Sequence, residues 1–138
     1  MDEALLKKLQ IKPGRTVLLL NPPAGYRERL LPLPEGAALL ADGAPQTGAD
    51  IVQVFVHRQT DVETLAHRGM AALKPGGILW LTYPKRSKTV QTDINRDTGW
   101  DSVTAAGWLP VTQIAVDETW SALRFRPVGE IKTLTRRS

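Results

Sequence analysis

The chain contains no cysteine, which excludes disulfides and thiolate metal sites and removes the usual mark of an oxidising compartment. No apolar run approaches the roughly 20 residues needed to cross a bilayer. The start, Met1-Asp2-Glu3-Ala4-Leu5-Leu6-Lys7-Lys8-Leu9, has neither the basic leading segment nor the long apolar stretch of a signal peptide. A cytoplasmic location with no membrane segment is therefore expected. Also missing are H-E-x-x-H, G-x-S-x-G, G-x-x-x-x-G-K-S/T and any recognised RNA- or DNA-binding signature. No local motif demands a reaction or a metal, and no catalytic residue is assigned.

What is present is an ordinary globular composition. Hydrophobic residues make up 42% and charged residues 23%, close to the average for folded domains and far from disordered or fibrous chains. A length of 138 residues accommodates one substantial core and leaves no room for a second. The net charge of +4 steers anions toward the surface without requiring nucleic acid as partner. Part of the excess lies in Lys85-Arg86-Ser87-Lys88 and part in Lys132, Arg136 and Arg137, where a solvated loop and a solvated end are sufficient explanations. One domain over residues 1–127 and a loose tail over 128–138 are expected.

Residues 2–10 read as a short amphipathic helix carrying Leu5, Leu6 and Leu9, stopped by Pro13-Gly14 and packed as a lid on a sheet edge. Thr16-Val17-Leu18-Leu19-Leu20 is apolar without alternation, the pattern of a parallel strand covered on both faces. After Asn21-Pro22-Pro23, one or two helical turns from Gly25 to Leu31 would turn Leu30 and Leu31 inward, before Pro32 and Pro34 stop them. Ala37 to Asp42 reads as a second strand, and "DIVQVFVH", residues 50–57, as a third rich in β-branched residues.

Thr60-Asp61-Val62-Glu63 has the spacing of a capping box and predicts a helix starting there, with Val62, Leu65, Ala66, Gly69 and Leu73 on its inner face. Pro75-Gly76-Gly77 ends it and leads into a strand over residues 78–83. Strand, helix, strand makes a βαβ unit with a right-handed crossover. A helix N-capped by Asp93 is predicted from Thr92 to Ala106. The last two strands, Leu109 to Val116 and Trp120 to Arg126, are joined only by Asp117-Glu118-Thr119. So short a joint requires antiparallel pairing, since a parallel return takes about a dozen residues or more. Trp80 and Trp120 lie in strands and are assigned to the core.

The order of "DIVQVFV", a helix, "LKPGGILWLTYPK", a second helix, "AAGWLP" and the closing hairpin "DETWSALRFRP" resembles the class I S-adenosylmethionine-dependent methyltransferase fold. The resemblance runs by element order over residues 12–127, and its specific wording is confined to Leu73 to Lys85. The chain is also similar to a group of short bacterial proteins of unknown function that keep this fold in reduced form. The resemblance implies a single-domain α/β Rossmann-like three-layer sandwich, its sheet mostly parallel with a C-terminal antiparallel β-hairpin. Between the first strand and "DIVQVFV" the family places two helices and two strands, and the shorter segment here implies a sheet trimmed at one edge.

In that family the loop after the first strand has the form (D/E)xGxGxG, and here it is Asn21-Pro22-Pro23-Ala24-Gly25. The two prolines have no N–H to offer a ligand and fix φ near about −65°. The family also uses an acidic residue after the second strand, a position that Asp42 fits. Asn21, Gly25 and Asp42 are thus the implied contacts if S-adenosylmethionine (SAM) binds. The (D/N)PP(Y/F) loop of amino-methylating enzymes follows their fourth strand, so Asn21-Pro22-Pro23 does not match it by position.

Fold does not supply function, and the prolines argue for a non-catalytic module that binds a small anionic ligand or a protein partner, with no cofactor expected. A SAM-dependent methyltransferase with an altered cofactor loop and a weak nucleic-acid-binding domain are the alternatives. Ligands of parallel sheets bind outside the carboxyl ends of the strands where their order reverses. That rule selects His57, Arg58, Tyr83 and Lys85 as anion-binding candidates, with Asp117 and Glu118 further along the same edge. A homodimer through the outer hairpin is left open.

Overall fold

Strands without a polar face must be covered on both sides, and in the computed structural model of this chain they are. The structure describes residues 3–40, 48–85 and 92–130. Its elements are α1 (Glu3–Leu9), β1 (Thr16–Leu20), α2 (Tyr26–Leu30), β2 (Ala38–Leu40), β3 (Ala49–Phe55), α3 (Gln59–Ala72), β4 (Leu73–Pro84), α4 (Asp101–Ala105), β5 (Trp108–Ala115) and β6 (Trp120–Pro127). The strands form one sheet in the order β2-β1-β3-β4-β6-β5. β2, β1, β3 and β4 pair in parallel, whereas β6 runs antiparallel to both β4 and β5. This is the expected mostly parallel sheet closed by a hairpin.

Alternate residues of each strand face opposite layers. Leu18, Val52, Val54, Leu79, Leu81 and Phe125 form a core with Val62 and Ala66 of α3 and Val103 of α4. Val17, Leu19, Ile51, Phe55 and Trp80 form the other, with Leu5, Leu6 and Leu9 of α1 and Tyr26 and Leu30 of α2. The result is a three-layer sandwich. Gly69 lets α3 press against the sheet, since a Cβ there would lie 2.8 Å from Val54 Cγ2.

Several local expectations need correction. α1 packs on a sheet face rather than an edge, with Leu9 O accepting from Trp80 Nε1 at 3.2 Å and Lys8 Nζ donating to Ala115 O at 3.0 Å. Leu31 lies past the end of α2 and is 42% exposed, because the helix stops at Leu30. α3 begins before Thr60, and the cap is made by Asp61, whose Oδ2 accepts from the His57 and Arg58 N–H groups at 2.8 and 3.3 Å. A carboxylate at the third helical position satisfies these donors better than a hydroxyl one residue earlier.

Pro75-Gly76-Gly77 does not separate helix from strand, because β4 starts directly after α3. Leu73 pairs with Ala49 and Ile78 with Ile51, so residues 74–77 bulge out of the ladder. The predicted helix from Thr92 is reduced to α4. Turn chemistry wins in between: Asn95 Oδ1 accepts from Asp97 N at 2.8 Å, and Gly99 sits at φ +105°. Asp93 therefore caps no helix of its own; its Oδ1 accepts from Gln59 N at 2.9 Å, at the start of α3. Residues 128–130 of the expected tail form a short 3-10 turn, with Val128 N donating to Gly107 O at 2.8 Å.

Candidate functional site

The strand order reverses between β1 and β3, so their carboxyl ends flank the crevice where ligands of such sheets bind. Asn21 follows β1 in the left-handed region, at φ 59°, and its Nδ2 donates to Phe55 O at the end of β3 at 3.0 Å. One side chain thus ties the two lips of the crevice together. Within residues 22–25 only Ala24 and Gly25 carry a backbone N–H. Gly25 adopts φ +83°, with nothing within 4 Å of where a Cβ would stand, so its turn conformation alone accounts for glycine here. The α2 that follows has only five residues.

Behind this loop α2 is anchored by a buried polar chain. Tyr26 OH donates to Gln53 Oε1 at 2.8 Å, and Gln53 Nε2 donates to Thr82 Oγ1 at 3.0 Å. Beside it an aromatic series crosses the sheet: Tyr26 meets Phe55 edge-on at 4.7 Å, Phe55 meets Trp120 at 5.1 Å, and Trp120 meets the His57 ring at 5.3 Å. His57 is thereby placed against an aromatic wall, and its backbone O accepts from Thr92 Oγ1 at 2.6 Å.

The residues expected to gather around an anion are dispersed. Tyr83 is 4% exposed and belongs to the core under α3 and α4, whereas Trp120, the partner of His57, belongs to the opposite core. Burial pushes the Tyr83 phenol above its ordinary pKa, and its OH accepts from Gln113 Nε2 at 3.0 Å. Lys85 Nζ donates to Asp117 O at 2.9 Å, which commits it to the β5–β6 turn. Arg58 is exposed at the start of α3. Asp42, Arg86 and Lys88 lie outside the described residues. Among the described residues, no group of three metal-ligating side chains is assembled.

Sequence reasoning missed the part played by Arg29. Its NH1 donates to Asp117 Oδ2 at 2.8 Å, and its guanidinium carbon lies 5.5 Å from the centre of the Tyr26 ring. Asp117 Oδ1 accepts from Thr119 N and Trp120 N, both at 2.8 Å. The pattern D-x-T-W announces such an Asx turn, but nothing local announces an arginine 88 residues away. Burial acts to raise the Asp117 pKa, yet the Trp120 and Thr119 N–H bonds and Arg29 outweigh it and hold the carboxyl below its ordinary value. A lowered folded-state pKa contributes stability that is present above the unfolded value of about 3.9 and is lost as pH falls through the folded value. Asp117→Ala should therefore cost about 1–3 kcal/mol at neutral pH, and its gap from the parent in urea unfolding should close on acidification. A gap that stays constant down to about pH 2 would show that the charge of Asp117 is irrelevant to stability.

No family model matches the chain, and no curated protein matches it by sequence. Solved structures do match it in shape. A possible exported protein from Bordetella parapertussis superposes with a TM-score of 0.63 at 15% identity, covering 91% of this chain and 66% of that one. DhpI in complex with SAH gives 0.60 at 17%, covering 91% and 83%. TrmK, the M1A22 tRNA methyltransferase of B. subtilis, gives 0.57 at 12%, covering 92% and 66%. The chain spans just under two thirds of the length of the Bordetella and B. subtilis proteins. Identities this low speak for the fold alone, and with the strand order they give the conclusion that this chain has a trimmed, methyltransferase-like Rossmann fold.

Proposed function

We propose that this domain is a degenerate methyltransferase fold that works as a binding module, for a small anionic ligand or a protein partner, without transferring methyl groups. The observation that carries the proposal is the Asn21 Nδ2 to Phe55 O bond of 3.0 Å, which spans the crevice between β1 and β3. Two prolines follow it where a cofactor loop needs N–H donors and close backbone approach. On this reading the described part of the loop, Asn21 to Gly25, offers SAM too few N–H donors. Nor, among the described residues, do the side chains around the crevice supply a base poised on a nucleophile: Lys85 is bonded to Asp117 O, and the His57 ring rests on Trp120.

Isothermal titration with SAM and S-adenosylhomocysteine is the test, and no heat of binding is expected up to about 1 mM cofactor. A second reading, a SAM-binding methyltransferase with an altered loop, has one observation in its favour: DhpI, a neighbour in shape, was solved with SAH. Binding near about 1 µM that is lost in Asp42→Ala would establish that reading and overturn the first.

A further inference from the structure

The amino ends of the strands, opposite the crevice, carry a cluster that the sheet topology alone brings together. Arg124 of β6 lies in register with Trp80 of β4, so its side chain emerges on the face covered by α1. Beside it the bulge at residues 74–77 opens a cavity of about 240 Å³, lined by Arg124, Arg15, Lys74, Asp50, Gln10 and the backbone of Gly76 and Gly77. Three cations and one carboxylate share this space.

Their pairing is unequal. Asp50 accepts from Thr16 N and Thr16 Oγ1 at 2.8 and 3.2 Å and forms an ion pair with Lys74. The Lys74 and Thr16 hydrogen bonds hold its pKa below the ordinary carboxylate value, so Lys74 and Asp50 neutralise each other. Arg15 NH1 donates to Gln10 O at 3.0 Å, which orients the guanidinium without neutralising it. Among the described residues no carboxylate forms an ion pair with Arg15 or Arg124. The Arg124 Nε is buried with no hydrogen-bond partner at all. Burial lowers the Arg124 pKa, with Arg126 and Arg15 adding to the effect and Glu130 opposing it. A hydrophobic residue of similar length would fill this strand position at less cost, because an unpaired, partly buried charge is unfavourable.

The geometry points to a phosphate-binding pocket at the amino ends of β3 and β4, with Arg124 and Arg15 as its guanidinium ligands. Two guanidinium groups left over after the Lys74–Asp50 pair match the two charges of a phosphate monoester or of free phosphate, and each can present paired N–H donors to its oxygens. The volume lies below the roughly 300–1,000 Å³ of pockets for drug-sized ligands, so it suits a phosphate head rather than a whole nucleotide. The inference does not rest on the state of the cofactor crevice, since the two sites share no residue.

Titration calorimetry of the full chain with inorganic phosphate, glycerol 3-phosphate and acetate tests it at constant ionic strength. Saturable phosphate binding is expected, at least about tenfold tighter than acetate, and weakened at least about tenfold in Arg124→Met and in Arg15→Gln. Arg68→Ala, exposed on α3 against the opposite face of the sheet, should bind as the parent does. Tighter binding of the ester would make the ligand a phosphorylated metabolite, and equal binding would make it free phosphate. Thermal unfolding separates binding from scaffolding: in phosphate-free buffer Arg124→Met should melt at or above the parent temperature and lose the rise that phosphate gives the parent. Absence of saturation by about 10 mM phosphate, acetate binding as tight as phosphate, or binding unchanged in both arginine variants would overturn the proposal.

Discussion

Phe55→Ala is expected to lose about 3–5 kcal/mol of stability, a large share of the roughly 5–15 kcal/mol that holds a domain of this kind folded. The ring is fully buried and stands at the junction of three elements, edge-on to Tyr26 of α2 at 4.7 Å and to Trp120 of β6 at 5.1 Å. Deleting it removes its own transfer free energy, two aromatic contacts, and the support of a site that helix, strand and hairpin cannot collapse onto together. In urea, with a slope of about 2 kcal/mol per molar for a domain this size, the midpoint should fall by about 2 M. A loss below about 1 kcal/mol would show that the cavity closes and that the three elements are not locked by this ring. Phe55 also presents the backbone O that Asn21 grips, so the same variant should loosen the loop after β1, visible as faster amide exchange at Ala24 and Gly25.

Gln53→Leu is expected to cost about 2–4 kcal/mol although leucine is the better core residue by hydrophobicity, because up to two hydroxyls are stripped of a partner at about 1–3 kcal/mol each. Gln53 is 1% exposed and links the Tyr26 hydroxyl to the Thr82 hydroxyl. The decisive measurement is the triple variant Tyr26→Phe, Gln53→Leu, Thr82→Val. Removing all three polar ends together should recover most of the loss, as expected when the cost comes from groups deprived of partners rather than from shape. If the triple variant is no more stable than Gln53→Leu alone, packing and not hydrogen bonding governs the position. The chain has a functional side as well, since Tyr26 begins α2 and so sets where the Pro22-Pro23 loop rests.

These two positions also mark how far the sequence is legible. That a strand lies in "DIVQVFVH", residues 50–57, follows from their β-branched, apolar character, and the burial of Phe55 is implied by it; the strand itself spans Ala49–Phe55, leaving Val56 and His57 beyond its end. That Gln53, polar in the middle of that run, would be satisfied by a hydroxyl on a helix and another on the neighbouring strand could not be read, because both partners are set by register. The candidate site divides in the same way. The loss of N–H donors at Pro22 and Pro23 is a property of proline and needs no coordinates. The bridge from Asn21 to Phe55 O needs β1 and β3 side by side. His57, Arg58, Tyr83 and Lys85 all follow or end strands, which made them look like one cluster. Strand pleating sends Tyr83 to one face and places the wall of His57 on the other.

By itself the sequence determined the class of the fold: unalternated strands that demand cover on both faces, a strand–helix–strand unit, a joint before Trp120 too short for anything but an antiparallel hairpin, and a proline pair that removes donors after β1. These are local consequences of side-chain shape, period and backbone chemistry. The cap from Asp61 is local, to the N–H groups of His57 and Arg58, whereas only the tertiary structure decided that Asp93 would meet the start of α3 at Gln59 N, 34 residues away. It alone decided which charges meet: Arg29 with Asp117, and Arg15 with Lys74, Asp50 and Arg124 around one cavity. The reason is physical. Charge pairing and cavity formation depend on strand order and register, which arise from the collective packing of both cores and leave no periodic trace in the chain.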